Sequence, residues 1–141
     1  MFGGETMSIN RLEGFNNIYV HHRYFKELTQ IFKKERKISI EYRKWLMSQL
    51  IILDEDCDLA LQNKEFEKLK NSGTIPPTCS IRCVRKYNNV RSLYVVWKDE
   101  DTSEKIIVLL TAFTEREKDA YQKALDCVKN RIKEIREEYQ L

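Results

Sequence analysis

Seven basic residues, Lys68, Lys70, Arg82, Arg85, Lys86, Arg91 and Lys98, fall in a stretch from 68 to 98 that contains no Asp or Glu. The whole chain carries 25 Lys and Arg against 22 Asp and Glu, a formal charge of +3, so positive charge is concentrated in this segment. A cationic surface on an otherwise balanced protein suits a polyanionic ligand, and nucleic acid is the first polyanion to consider. Arg stays protonated, so it holds phosphate or stabilises charge on it but takes no proton. Lys holds phosphate as a point charge and becomes a base only where neighbouring cations or burial depress its pKa.

Metal chemistry is poorly supplied. Cys79 and Cys83 stand four apart, but no second pair completes a zinc site, and His21 and His22 lie far away in sequence. The four cysteines read as reduced thiols, and neither metal nor cofactor is expected. His21 and His22 read as surface residues. No apolar run approaches the roughly 20 residues that span a bilayer, and the first residues lack the pattern of a signal peptide. A cytoplasmic protein without a membrane partner is the expectation.

The elements that must position the basic residues follow from periodicity. Residues 1–16, with Gly3, Gly4 and Gly14, read as a flexible N-terminal segment, and 17–141 as a single domain. Asn17–Val20 is a short strand. Tyr24, Leu28, Ile31 and Phe32 recur at helical spacing. A second helix starts at Ser39 as N-cap, carries Trp45, Leu46, Leu50 and Leu53, and ends at Asp54-Glu55-Asp56. Pro76-Pro77 marks a loop. Cys79–Tyr87, Val90–Lys98 and Lys105–Thr111 read as an antiparallel meander, with Asn88-Asn89 as its first turn and the apolar third strand in the centre. Thr114 with Glu117 forms a capping box for a C-terminal helix, whose stripe includes Tyr121, Ala124, Val128, Ile132 and Ile135. The fold class is α+β, a small antiparallel sheet in the order β-α-α-β-β-β-α packed against helices. From charge alone two readings stay open for the basic strands: a binding surface, or a solvated edge that discourages strand pairing.

Several short motifs carry a family resemblance. Phe66-Glu67-Lys68-Leu69-Lys70 precedes a loop, followed by Ser80-Ile81-Arg82-Cys83-Val84-Arg85 and Val90-Arg91-Ser92-Leu93-Tyr94-Val95-Val96. Ile106 to Phe113 then leads into Arg116, Lys118 and Tyr121. Over residues 17–135 this order resembles the RelE/HigB superfamily of bacterial and phage toxins, and the C-terminal part resembles its HigB-like and phage host-inhibition branch. The resemblance implies a RelE-like fold and a toxin of a type II toxin–antitoxin system, an endoribonuclease that cuts mRNA on the ribosome. It also implies a cognate antitoxin as partner.

Cleaving RNA requires a proton acceptor for the attacking 2′-hydroxyl, stabilisation of charge on the phosphoryl oxygens, and a proton for the leaving 5′-oxygen. Arg82, Arg91 and Arg116 are the candidates for charge stabilisation, and Tyr121 for acid/base work or base stacking. Lys68, Lys70, Arg85, Lys86 and Lys118 are candidate RNA contacts. Some relatives use a His near the last strand, and this chain has none there. Two other classes remain: a protein of the same fold that inhibits a protein target such as gyrase, and an RNA-binding module without activity.

Overall fold

The computed structural model describes residues 7–87, 89–116 and 118–139. Two short strands, β1 (Ile9–Arg11) and β2 (Ile18–His21), open the fold as a hairpin. Gly14 in their loop takes φ +89°, a conformation that disfavours any side chain. Asp54 accepts the backbone N–H groups of Asn16 and Asn17 and ties that loop to a helix end. Part of the N-terminal stretch expected to be loose is therefore sheet. Residues 1–6 lie outside the described residues.

Three helices follow: α1 (Tyr24–Ile31), α2 (Arg36–Glu55) and the short α3 (Cys57–Ala60). In α2, Tyr42, Leu46, Leu50 and Leu53 are buried at helical spacing and face the sheet. The helix starts three residues before Ser39, so Ser39 is no cap. The acidic cluster does end α2, because Asp56 turns extended and its side chain accepts the N–H groups of Asp58 and Leu59, capping α3.

The second half supplies β3 (Phe66–Lys68), β4 (Thr78–Ile81), β5 (Val90–Lys98), β6 (Lys105–Thr114) and α4 (Ala120–Tyr139). The α+β class holds, with six strands among the described residues in the order β1-β2-β6-β5-β4-β3. The sheet is mixed rather than antiparallel throughout, because β2 runs parallel to β6. The meander of β4, β5 and β6 is present. Its first strand stops at Ile81, and residues 82–87 form an irregular path. β6 runs on to Thr114, which pairs with Val90, so Thr114 belongs to the sheet and α4 begins six residues later. Glu117, the other half of the expected capping box, lies outside the described residues, as does Asn88 of the expected turn.

The sheet is covered on both faces. Ile18, Ile81, Tyr94, Ile107 and Leu109 pack against α1, α2 and α3. Leu93, Val95, Val108 and Leu110 pack against Val128, Ile132 and Ile135 of α4. A strand buried on both faces must be apolar at consecutive positions, which accounts for the run Ile106–Leu110. One irregularity matters later: Leu93 pairs with Thr111 but Tyr94 pairs with Leu109, so Leu110 is the extra residue of a β-bulge.

The α2 stripe makes a direct prediction. Leu50→Ala should lower unfolding free energy by about 3 kcal/mol, read as a shifted urea midpoint. Its neighbour Ile51, 53% exposed, should tolerate Ala within about 0.5 kcal/mol.

Candidate functional site

Strand β2 ends at His21, the chain turns at His22 and Arg23, and α1 continues alongside the upper part of β6. On the other face α4 starts just beyond β6 and runs back across the sheet. The two helices flank the carboxyl end of β6 and leave an open groove of about 930 Å³ between them. Arg23 and Lys26 enter it from α1 and the turn before it, Arg116 from the segment after β6, and Lys123 from the first turn of α4. All four are exposed. Lys123 makes an i,i+4 pair with Asp119 at 3.4 Å, both well exposed, a contact of small energetic weight. Among the described residues Glu27 is the one carboxylate that lines it, and its charge is already matched. The groove therefore carries a net positive field.

Glu27 is held by Arg131 of α4. The guanidinium donates from both terminal nitrogens, at 2.9 Å to Oε1 and 2.8 Å to Oε2. Thr111 Oγ1 donates to the same carboxylate at 2.9 Å, and the Arg131 guanidinium also donates to the carbonyl of Leu110, the bulge residue. Arg131 is 8% exposed. A fork-to-fork Arg–carboxylate pair with this burial and these added hydrogen bonds fixes position in two directions. It locks α1 to α4 across the end of β6, so the groove walls are set at a defined separation.

Beside the groove, His21 is buried rather than on the surface, at 2% exposure. Its Nδ1 accepts the backbone N–H of Arg23 at 3.2 Å, and its Nε2 lies 2.8 Å from Glu134 Oε1. The first bond leaves the proton on Nε2, which donates it to Glu134. Burial pushes the His21 imidazole below its ordinary 6.5, and the Arg131 charge pushes the same way against the Glu134 bond. His22 is exposed, stacks on His21 at 4.4 Å between ring centroids, and lines the groove. His21, His22 and Glu134 bring three donor atoms within 4.8 Å of one another. A cation on His21 Nε2 would need Nδ1 protonated, directly against the Arg23 N–H. The donor set thus fits a hydrogen-bonded pair better than a metal centre.

The residues singled out from sequence do not meet in one place. Arg116 lines the groove. Arg91 lies in β5 opposite Phe113, buried at 7% exposure, and donates to Glu115 Oε2 at 2.8 Å. Arg82 is half-buried just past β4, one position beyond the Ile81–Ser92 pair and so next to Arg91 in register. Tyr121 is half-buried with its ring edge-on to Phe113, centroids 5.1 Å apart. Lys68 ends β3, on the sheet edge away from the groove, and Lys70, Arg85, Lys86 and Lys118 are exposed without lining it. Arg23, Lys26, Lys123 and His22 are the groove residues that sequence reading did not single out. The run His21-His22-Arg23 with Lys26 one turn on is the signal that marks all of these but Lys123.

No protein-family model matches this chain, and no curated protein or solved structure does so significantly.

Removing Arg131 alone would leave Glu27 partly buried and unpaired. Arg131→Ala should therefore cost about 3 kcal/mol or more in urea unfolding, and the double change Glu27→Leu with Arg131→Met should recover most of it. His21 gives a pH signature. The unfolded chain takes up a proton near 6.5 that the folded chain resists, so stability is full above that pH and falls as pH drops below it. Urea midpoints between about pH 7.5 and about pH 5.5 should decline in the native chain and decline less in His21→Gln.

Proposed function

We propose that this protein binds RNA in the groove between α1 and α4 and cuts it there, as a toxin of the RelE/HigB type restrained by an antitoxin. The observation that carries the reading is the convergence of Arg23, Lys26, Arg116 and Lys123 on one open groove in which Glu27, the single lining carboxylate among the described residues, is already paired. Such a groove suits a ribose-phosphate backbone: its cations come from three separate chain segments, so they line a path rather than a point. The motif resemblance supplies the toxin class.

The chemistry is assigned by side-chain type. Attack of a 2′-hydroxyl on the adjacent phosphorus breaks the P–O5′ bond, leaving a 2′,3′-cyclic phosphate and a 5′-hydroxyl. His22 is the groove's imidazole and takes the 2′-proton as general base. Arg116 and Arg23 stabilise the charge that builds on the phosphoryl oxygens. Lys26 or Lys123 delivers a proton to the departing 5′-oxygen. In this assignment Arg116 keeps the role expected of it, Arg91 supports the site through Glu115, and Tyr121 braces Phe113 at the groove wall.

A non-cleaving RNA binder is the second reading. It is favoured by the internal engagement of Arg91 with Glu115 and of Tyr121 with Phe113. A labelled single-stranded RNA incubated with the purified chain separates the two. Arg116→Glu combined with Lys123→Glu should weaken RNA binding at least tenfold and relieve growth arrest on expression. His22→Gln should keep binding and slow cleavage by about 100-fold. Binding without any cut by the native chain selects the binder, and undiminished toxicity and binding in the double Glu variant overturn both.

A further inference from the structure

A second groove lies at the other end of the sheet, and its chemistry is the reverse of the first. It encloses about 740 Å³ beside the β5–β6 turn. Its floor is the Trp97–Ile106 pair. One step inward on the same face, Val95 and Val108 are fully buried under α4, whereas Trp97 and Ile106 are only half-buried. Arg136 of α4 places its guanidinium 5.2 Å from the Trp97 ring centroid and donates to the Ile75 carbonyl at 2.7 Å. Ile75, on the wall, is 79% exposed, the most open large apolar side chain among the described residues.

The opposite wall is acidic. The turn from 99 to 104 carries Asp99, Glu100, Asp101 and Glu104 with no basic residue. Oδ1 of Asp99 accepts the N–H groups of Asp101 and Thr102 within the turn. Glu100 and Glu104 are exposed, line the groove and enter no ion pair among the described residues. Two basic residues also line the groove, Arg136, which is committed to Trp97 and to the Ile75 carbonyl, and the exposed Lys98, against the three carboxylates of Asp99, Glu100 and Glu104.

We propose that this groove docks a cationic segment of a partner protein, with one large apolar side chain seated on Trp97 and Ile106 and flanking Lys or Arg side chains on Glu100 and Glu104. The apolar floor with an aromatic at its centre supplies the anchor, and the unpaired carboxylates on one wall set the sign of the partner's charge. The volume falls within the roughly 300–1,000 Å³ of ordinary binding pockets. The proposal does not depend on the nuclease reading. The two grooves sit toward opposite ends of β6, and their nearest lining residues on that strand, Ile106 and Thr111, are about 17 Å apart along it.

Trp97 is its own reporter once Trp45 is replaced. In a Trp45→Phe background, a synthetic peptide of alternating Lys and Leu should shift Trp97 emission saturably, and added salt should weaken the effect. A Glu–Leu peptide of the same length should give no shift. Glu100→Lys with Glu104→Lys, and separately Ile75→Asp, should each weaken the Lys–Leu peptide at least tenfold without altering RNA binding. Equal response to both peptides, or undiminished binding in both variants, overturns the proposal. So does a concentration-dependent dimer that protects Trp97 without peptide, which would make a second copy of the chain the occupant.

Discussion

The Glu27–Arg131 pair is the contact on which the cationic groove depends. Helix α1 takes over the place beside β6 where β2 ends, and α4 lies on the opposite face of the sheet. Apolar packing alone would let the two helices slide, because burial is not directional. A bidentate ion pair is directional, and this one is also tied to Thr111 and to the carbonyl of Leu110. The bulge in β6 is part of the same device: the extra residue shifts the register there, so that Leu110 and Thr111 both serve the pair. A local flaw in the ladder thus becomes the point at which strand and both helices are joined.

The molecule is electrically polarised along β6. Where that strand ends, four exposed cations gather around a groove. Where it begins, an acidic turn borders an apolar one. The formal charge of +3 conceals this separation, since net charge sums the two ends. A polyanion and a basic protein segment approaching the molecule would be steered to different ends, and neither site would compete with the other.

Much of the fold was legible in the sequence. The limits of β5 followed from a run rich in Val, Tyr and Trp, and the end of α2 from the acidic cluster, because each depends on neighbouring residues only. The parallel pairing of β2 with β6 did not, since it joins segments that no local pattern relates. The same reason separates the site residues. Charge density along the chain pointed to 68–98, but in space that stretch runs from the far edge of the sheet through its middle to the acidic end. The groove instead draws on cations from either end of the chain, brought together only by the fold. His21 was misjudged as a surface residue because the partner that makes its burial tolerable, Glu134, lies on the last helix.

The parallel pairing of β2 with β6 bears on how the protein is made. Ile18 meets Ile107, and Glu27 meets Arg131 across 104 positions, only after all the intervening segments have been made. Contacts between such distant segments form late and slow assembly. A growing chain still short of α4 lacks one wall of the cationic groove and the guanidinium that holds Glu27, so the groove takes shape only after α4 has joined the sheet.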